Sequence, residues 1–175
     1  MRAVALIRGM NIGGVRVPMR ELAAALERRG ATGVRTVLAS GNVVLAAPED
    51  DPAAVRARVA DAIREDFGFD LVVLAASVET VRAAVDEYPF PRSDDRHAYV
   101  VFGESATALA ELVEGAGPLD HAVEQVRPGE GVLYWDLPKG ATLTTAFGRH
   151  FGRRQRSGAV TTRNIRTLEK ILAAV

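Results

Sequence analysis

The chain has 175 residues, enough for one large domain or two small ones, and 48% are apolar, which favours a packed core over disorder. Lys plus Arg and Asp plus Glu number 22 each, so net charge alone indicates no partner. The chain has no cysteine, which excludes disulfides and thiolate chemistry. It shows no long apolar N-terminal run and no membrane-length segment, so we expect no signal peptide, no membrane partner and a cytoplasmic location.

The first half of the chain alternates apolar runs with amphipathic stretches. Pro18 suits the first turn of a helix that ends at Gly30, and the acids around Pro52 suit the start of a second helix that ends at Gly68. Gly41-Asn42 is typical of a two-residue hairpin turn. Four strands complete the prediction: Ala3–Ile7, Val34–Ala39, Val43–Ala47 and Leu71–Ala75.

This order of elements predicts a βαββαβ, or ferredoxin-like, unit with the spatial strand order 4-1-3-2 and antiparallel neighbours. The first and second strands then end at the same edge of the sheet. We therefore expect the glycine-rich loop Arg8–Gly14 to lie beside the turn Ser40–Asn42, although some 30 residues separate them.

The second half repeats this pattern after a linking helix over Val78–Tyr88. Helices are predicted to open at Ser105 and Thr142, and Thr162 is a plausible N-cap for a last helix. Strands are predicted over His97–Phe102, Ala122–Val126 and Val132–Trp135, with a short edge strand at Ala159-Val160. The predicted fold is therefore α+β: two ferredoxin-like antiparallel sheet units with helices packed on one face, plus a C-terminal helix. We place the domains at residues 1–76 and 77–175.

Charge is unevenly distributed in the C-terminal part. From Arg149 to Lys170 the chain carries seven basic residues and one acid, Glu169. Such asymmetry is typical of a surface for anions, but it also fits a tail that packs on the more acidic remainder. The chain has only two lysines, so many of its arginines reflect a general preference for this cation.

Several short motifs together resemble one known family. These are Arg8–Gly14, Val17-Pro18-Met19, Ser40–Val43, Pro89-Phe90-Pro91 and Thr161–Asn164. In combination and order they are similar to domain-of-unknown-function family 1697. The resemblance implies a bacterial α+β protein and brings no established activity. Ile165-Arg166 departs from the family pattern, which tends to have an aromatic residue and an asparagine there, and the segment between Trp135 and Thr142 is shorter and less basic.

The candidate ligand-binding residues begin with the glycine loop, namely Arg8, Gly9, Asn11, Gly13 and Gly14. Glycines allow the backbone to approach a ligand, and an arginine fork binds phosphate or carboxylate. The spacing matches neither the dinucleotide-binding nor the Walker pattern, so neither of those nucleotide sites is predicted. Arg8 equally fits a structural role in holding the loop.

Two further segments complete the candidate site. The turn contributes Ser40, Gly41 and Asn42, where Asn42 also fits a purely structural role in the turn. The last helix contributes Thr162, Arg163 and Asn164 at its predicted start, where backbone amides bind anions or the threonine simply caps the helix. The three histidines lie far apart in the sequence, so we expect no metal, and no cofactor is indicated.

Three functions remain open from the sequence. The first is a binding module for an anionic ligand, either a phosphorylated metabolite or a nucleic acid, at the Arg8–Gly14 loop and the Ser40–Asn42 turn. The second is an enzyme that acts on a small anionic metabolite at the same edge, although no acid, base or nucleophile is evident. The third is a structural or partner-binding protein, including a homodimer formed through a sheet edge.

Overall fold

The structure, a computed structural model, describes residues 2–10, 12–46, 51–158 and 160–175. These residues contain fourteen helices and strands. The chain divides into two compact units, one formed by residues up to Val81 together with Glu169–Val175 and the other by Arg82–Leu168. The domain boundary between residues 76 and 77 stays a prediction.

The first unit has the expected ferredoxin-like order. Its elements are β1 (Arg2–Ile7), α1 (Met19–Arg28), β2 (Arg35–Val37), β3 (Asn42–Ala46), α2 (Pro52–Phe67) and β4 (Val73–Ser77), and α3 (Val78–Asp86) follows directly. The sheet order is β2-β3-β1-β4, and every neighbouring pair is antiparallel. The predicted topology of this unit is therefore confirmed.

Alternation along β1 explains why the helices cover one face of this sheet. Ala3, Ala5 and Ile7 belong to the same buried cluster as Leu22 of α1 and Ile63 of α2. The N-terminus of α2 is capped by the Asp51 side chain, which accepts a hydrogen bond from the Ala53 amide at 2.8 Å. The acids predicted just before that cap, Glu49 and Asp50, lie outside the described residues.

The second unit repeats the same topology. Its elements are β5 (Arg96–Gly103), α4 (Ala106–Gly115), β6 (Gln125–Pro128), β7 (Val132–Pro138), α5 (Ala146–Arg156) and β8 (Val160–Asn164). The C-terminal helix α6 (Ile165–Ala173) follows directly and spans the boundary between the two units at Leu168. The order β6-β7-β5-β8 is again antiparallel throughout. The prediction of two ferredoxin-like units and a C-terminal helix is therefore confirmed.

The core of the second unit surrounds Trp135. Its ring lies 5.0 Å from that of Phe147 and 5.6 Å from that of Phe151, both on α5. The buried Glu124 carboxylate accepts hydrogen bonds from the Trp135 indole at 3.1 Å and from the Phe147 amide at 2.9 Å. This carboxylate therefore joins β7 to the start of α5.

Three local predictions for the second unit are wrong. The strand predicted over Ala122–Val126 is displaced to β6, because residues 121–123 form a turn. Helix α5 starts after Thr145, whose hydroxyl accepts from the Gly148 amide at 3.2 Å, and not at Thr142, which lies in the preceding turn. Residues 160–164 form strand β8 and not the start of a helix, because they pair with β5. Ala159, predicted as part of a short edge strand, lies outside the described residues.

Candidate functional site

The glycine loop between β1 and α1 is anchored at both of its ends. Met10 and Val17 are buried in the core of the first unit. The Arg8 amide donates to the Val72 carbonyl at 2.9 Å, which ties the start of the loop to the chain beside β4. Between the anchors Ile12, Gly13 and Gly14 are exposed, so the loop presents its central backbone to solvent.

Three of the loop glycines require the left-handed region. Gly9, Gly13 and Gly14 have φ values of +75°, +61° and +89°. A Cβ atom on Gly13 or Gly14 would meet no atom within 4 Å, so these glycines are required by conformation and not by crowding. The second unit has no such loop, because Gly103 ends β5 and Ser105 already caps α4.

The loop and the hairpin turn lie side by side, as the topology predicts. The Ile7 amide, at the end of β1, donates to the Gly41 carbonyl at 2.7 Å. A Cβ atom on Gly41 would lie 2.8 Å from Met10 Cγ and 2.9 Å from the Ile7 carbonyl oxygen. Because that spacing leaves no room for a side chain, Gly41 allows the two segments to approach.

The hairpin turn is longer than predicted. Residues 38–41 form the loop, and Asn42 is already the first residue of β3, paired with Val37. The prediction of a two-residue Gly41-Asn42 turn is therefore wrong. Leu38, with φ +60°, is the one non-glycine residue with a positive φ in the described part of the chain. A bulky residue in that region indicates local backbone strain.

Asn42 closes the hairpin loop from inside. Its side chain is fully buried, and its amide donates to the Val37 carbonyl at 2.8 Å and to the Ser40 hydroxyl at 3.2 Å. A buried amide with these partners supports the turn, which is the alternative role stated above for Asn42. Ser40 itself is exposed, whereas Gly41 is buried.

A cleft of about 610 Å³ lies where the glycine loop meets the hairpin loop. The residues that line it are Gly14, Val15, Arg16, Pro18 and Ala39. Gly14 is the one member of the predicted set among them. Arg16 is exposed, and no hydrogen bond or ion pair of its side chain occurs within the described residues. Its cation is therefore available to a ligand in the cleft.

Sequence reasoning missed Arg16. The signal was present, because Arg16 is a second arginine in the same β1–α1 connection, between the glycines and the helix. Arg8 is the predicted ligand-binding arginine because it adjoins a buried strand, but it is half-buried and does not line the cleft. Burial lowers the pKa of the Arg8 guanidinium from its ordinary value, since a low dielectric disfavours the charged form. Asn11 lies outside the described residues.

The third predicted segment belongs to the second unit and serves its sheet. Thr162 lies in β8, where its hydroxyl donates to the Val100 carbonyl at 3.1 Å, so its predicted role as an N-cap is wrong. Asn164 takes that role, because its Oδ1 accepts from the Arg166 amide at 3.0 Å at the start of α6. Arg163 donates to the Thr162 carbonyl at 2.9 Å.

The described ranges meet neither the requirements of a metal site nor those of a membrane-spanning helix. No group of three or more His, Asp or Glu side chains there is placed to hold a metal ion. Among the same residues, no helix combines the length and the apolar character that crossing a membrane requires.

Comparison with solved structures supports the fold. The chain resembles the conserved bacterial protein SP0830 from Streptococcus pneumoniae with a TM-score of 0.77 and 21% identity, over 99% of this chain and 97% of the other. An unknown protein from Galdieria sulphuraria matches at 15% identity over 93% and 95% of the two chains, but its TM-score of 0.29 carries no structural argument. The comparison with curated proteins found no match.

The sequence model of one family matches residues 1–134, which contain the glycine loop, the hairpin and the cleft. That span is well over half of the chain and agrees with the resemblance drawn from the motifs. The chain therefore belongs to the family described as "Protein of unknown function (DUF1697)".

Proposed function

We propose that this protein is a cytoplasmic binding module for a small phosphorylated metabolite, held in the cleft between the glycine loop and the hairpin loop. The observation that supports this proposal is the placement of Arg16 in the wall of a cleft of about 610 Å³. That volume lies in the range of sites for small molecules, about 300–1,000 Å³. An exposed guanidinium that pairs with no carboxylate of the described residues favours an anion there.

The glycines supply the second part of the proposed site. Gly13 and Gly14 both have positive φ and open space where a side chain would stand. Consecutive residues of this kind allow backbone N–H groups to converge on an anion. Phosphate oxygens would then be held by Arg16 on one side and by the loop backbone on the other.

The expected affinity is modest. A hydrogen bond to a charged group contributes about 1.5–3 kcal/mol net. Two such contacts, about 3–6 kcal/mol together, correspond to dissociation constants from several millimolar to tens of micromolar. This range fits a metabolite but not a nucleic acid at this cleft, since a nucleic acid needs several cations along its backbone. We therefore favour the small ligand here.

The cleft favours binding over catalysis. Within the described chain the cleft is lined by Gly14, Val15, Arg16, Pro18 and Ala39. None of these residues carries a carboxylate, imidazole or hydroxyl group. General acid–base or nucleophilic catalysis needs such a group within hydrogen-bond reach of the substrate. An enzyme and a sheet-edge homodimer stay as alternatives without an observation that favours either of them.

A thermal-shift screen tests the proposal. Sugar phosphates, nucleotides and inorganic phosphate would be compared with their unphosphorylated counterparts on the wild type, on Arg16→Gln and on Arg20→Gln. At a concentration of about ten times Kd, a ligand stabilises by about 1.4 kcal/mol, which raises the Tm of a chain of this size by about 3–6 °C.

The matched control is Arg20→Gln, because Arg20 is an exposed arginine on α1 that does not line the cleft. We expect stabilisation by a phosphorylated compound that is lost in Arg16→Gln and kept in Arg20→Gln. Equal stabilisation by the unphosphorylated compound, or an undiminished shift in Arg16→Gln, would show that the cleft is not an anion site.

A further inference from the structure

Helix α5 of the second unit carries a stripe of arginines on its exposed face. Arg149, Arg153 and Arg156 are all exposed and follow the spacing i, i+4, i+7, so they lie in one row along the helix. Phe147 and Phe151 lie on the opposite face and are buried in the core. The helix is therefore fixed with its cationic side outward.

None of these three arginines pairs with a carboxylate within the described residues. Arg149 donates to the Thr144 carbonyl, and Arg156 donates to the Gly152 carbonyl at 3.4 Å. Arg153 Nη2 lies 3.2 Å from His150 Nδ1. By contrast Arg154, on the flank of the helix, pairs with Glu111 of α4. Each arginine of the stripe thus keeps most of its five N–H donors for another partner.

The helix dipole does not account for the whole stripe. Cations in the last turn, such as Arg153 and Arg156, are favoured by the negative C-terminal end of the dipole. Arg149 lies only four residues after the N-cap Thr145, close to the positive end, where the dipole disfavours a cation. The dipole therefore does not account for Arg149, whose guanidinium donates to the Thr144 carbonyl.

We propose that the arginine stripe of α5 is a binding surface for the phosphate backbone of a duplex nucleic acid. At a rise of 1.5 Å per residue, Arg149 and Arg156 are about 10.5 Å apart along the axis. Phosphates along one strand of a duplex rise by about 3.4 Å each, so the stripe spans about three of them. This surface does not depend on the cleft of the first unit.

Other anionic partners fit this surface less well. Single strands are held by bases stacked on exposed aromatic rings, and no Phe, Tyr or Trp is exposed in the described ranges. An amphipathic helix binds a membrane by burying its apolar face in the lipid, but Phe147 and Phe151 are committed to the protein core. A sequence-independent contact with a duplex remains the best match.

Fluorescence anisotropy with a labelled 20-base-pair DNA duplex, measured over a series of salt concentrations, tests the proposal. With three phosphates neutralised, log K should fall with log salt at a slope of about −2.7, which is about a 40-fold loss of affinity between 50 and 200 mM salt. Each single Arg→Gln change in the stripe should reduce the magnitude of this slope by about 0.9.

Two triple variants separate the stripe from bulk charge. R149Q/R153Q/R156Q removes the stripe, whereas R20Q/R28Q/R82Q removes three other exposed arginines and changes the net charge equally. We expect binding to be lost in the first, kept in the second and retained when lysine replaces each arginine of the stripe. Far-UV circular dichroism checks that every variant is folded.

Three results would overturn the proposal. One is the absence of any duplex binding by the wild type at low salt. Another is an equal loss of binding in the two triple variants. The third is binding to phosphatidylcholine–phosphatidylserine vesicles at salt concentrations where the duplex does not bind, which would assign the stripe to a lipid surface.

Discussion

Replacement of Gly41 by alanine tests the close approach on which the candidate site depends. Gly41 has φ +85°, and an added Cβ would lie 2.9 Å from the Ile7 carbonyl oxygen and 3.0 Å from Ile7 Cβ. Ile7 belongs to β1 and pairs with Val73 of β4, so it cannot move away without disturbing the sheet. The substitution therefore combines backbone strain with a steric overlap.

A matched glycine separates these two costs. Gly30, after α1, has a similar φ of +81°, but a Cβ there would meet nothing within 4 Å. Gly30→Ala should therefore cost only the left-handed strain, about 1–2 kcal/mol. Gly41→Ala should cost that amount plus about 1–3 kcal/mol for overpacking, with the hydrogen bond from the Ile7 amide weakened as well.

Urea unfolding followed by far-UV circular dichroism measures the difference. Circular dichroism is the appropriate signal because the single tryptophan, Trp135, lies in the second unit and reports on a different core. We expect the midpoint of Gly41→Ala to fall further than that of Gly30→Ala, with the m-value unchanged. Equal losses in the two variants would mean that the loop and the hairpin do not approach as described.

Two further predictions concern a buried amide and a histidine. Asn42→Ala should lower the free energy of unfolding by about 1–3 kcal/mol, because it leaves the Val37 carbonyl without the side-chain amide donor. Ser40→Ala, which removes only the exposed partner, should lower it by less. Equal losses in the two variants would contradict a structural role for Asn42. Burial and the neighbouring Arg153 and Arg154 lower the pKa of His150 below its ordinary value near 6.5. The unfolded chain therefore binds the proton at a higher pH than the folded chain does. The free energy of unfolding is full above about pH 6.5 and declines as the pH falls. The urea midpoint should therefore decrease from about pH 7.5 to about pH 5.5, less steeply in His150→Gln, and an unchanged slope in that variant would refute this assignment.

Most of the elements follow from local patterns that the sequence displays. Apolar runs and amphipathic spacing predict the strands and helices, and Ser105 caps α4 at the predicted start of that helix. The strand order follows as well, because the βαββαβ sequence of elements has few topologies compatible with short connections. The contact between the glycine loop and the hairpin is a consequence of that topology, which is why it was predictable.

Local patterns failed at the starts of α5 and α6. Thr142, Thr144 and Thr145 all suit an N-cap, and only the packing of α5 against the core selects Thr145. Residues 161–164 are polar and suit a helix start, yet pairing with β5 draws them into a strand. In both places a long-range contact outweighs a local preference of about 1 kcal/mol.

The sequence by itself determined the fold class, the duplicated unit and the position of the glycine loop, since these depend on periodicity and on residues with special backbone conformations. Only the tertiary structure decided which side chains are available to a ligand. Arg16 lines a cleft and Asn42 is buried beneath a turn because of the way distant segments pack, and exposure is a property of that packing. For the same reason the exposure of the α5 stripe depends on Phe147 and Phe151, which fix the opposite face of the helix in the core.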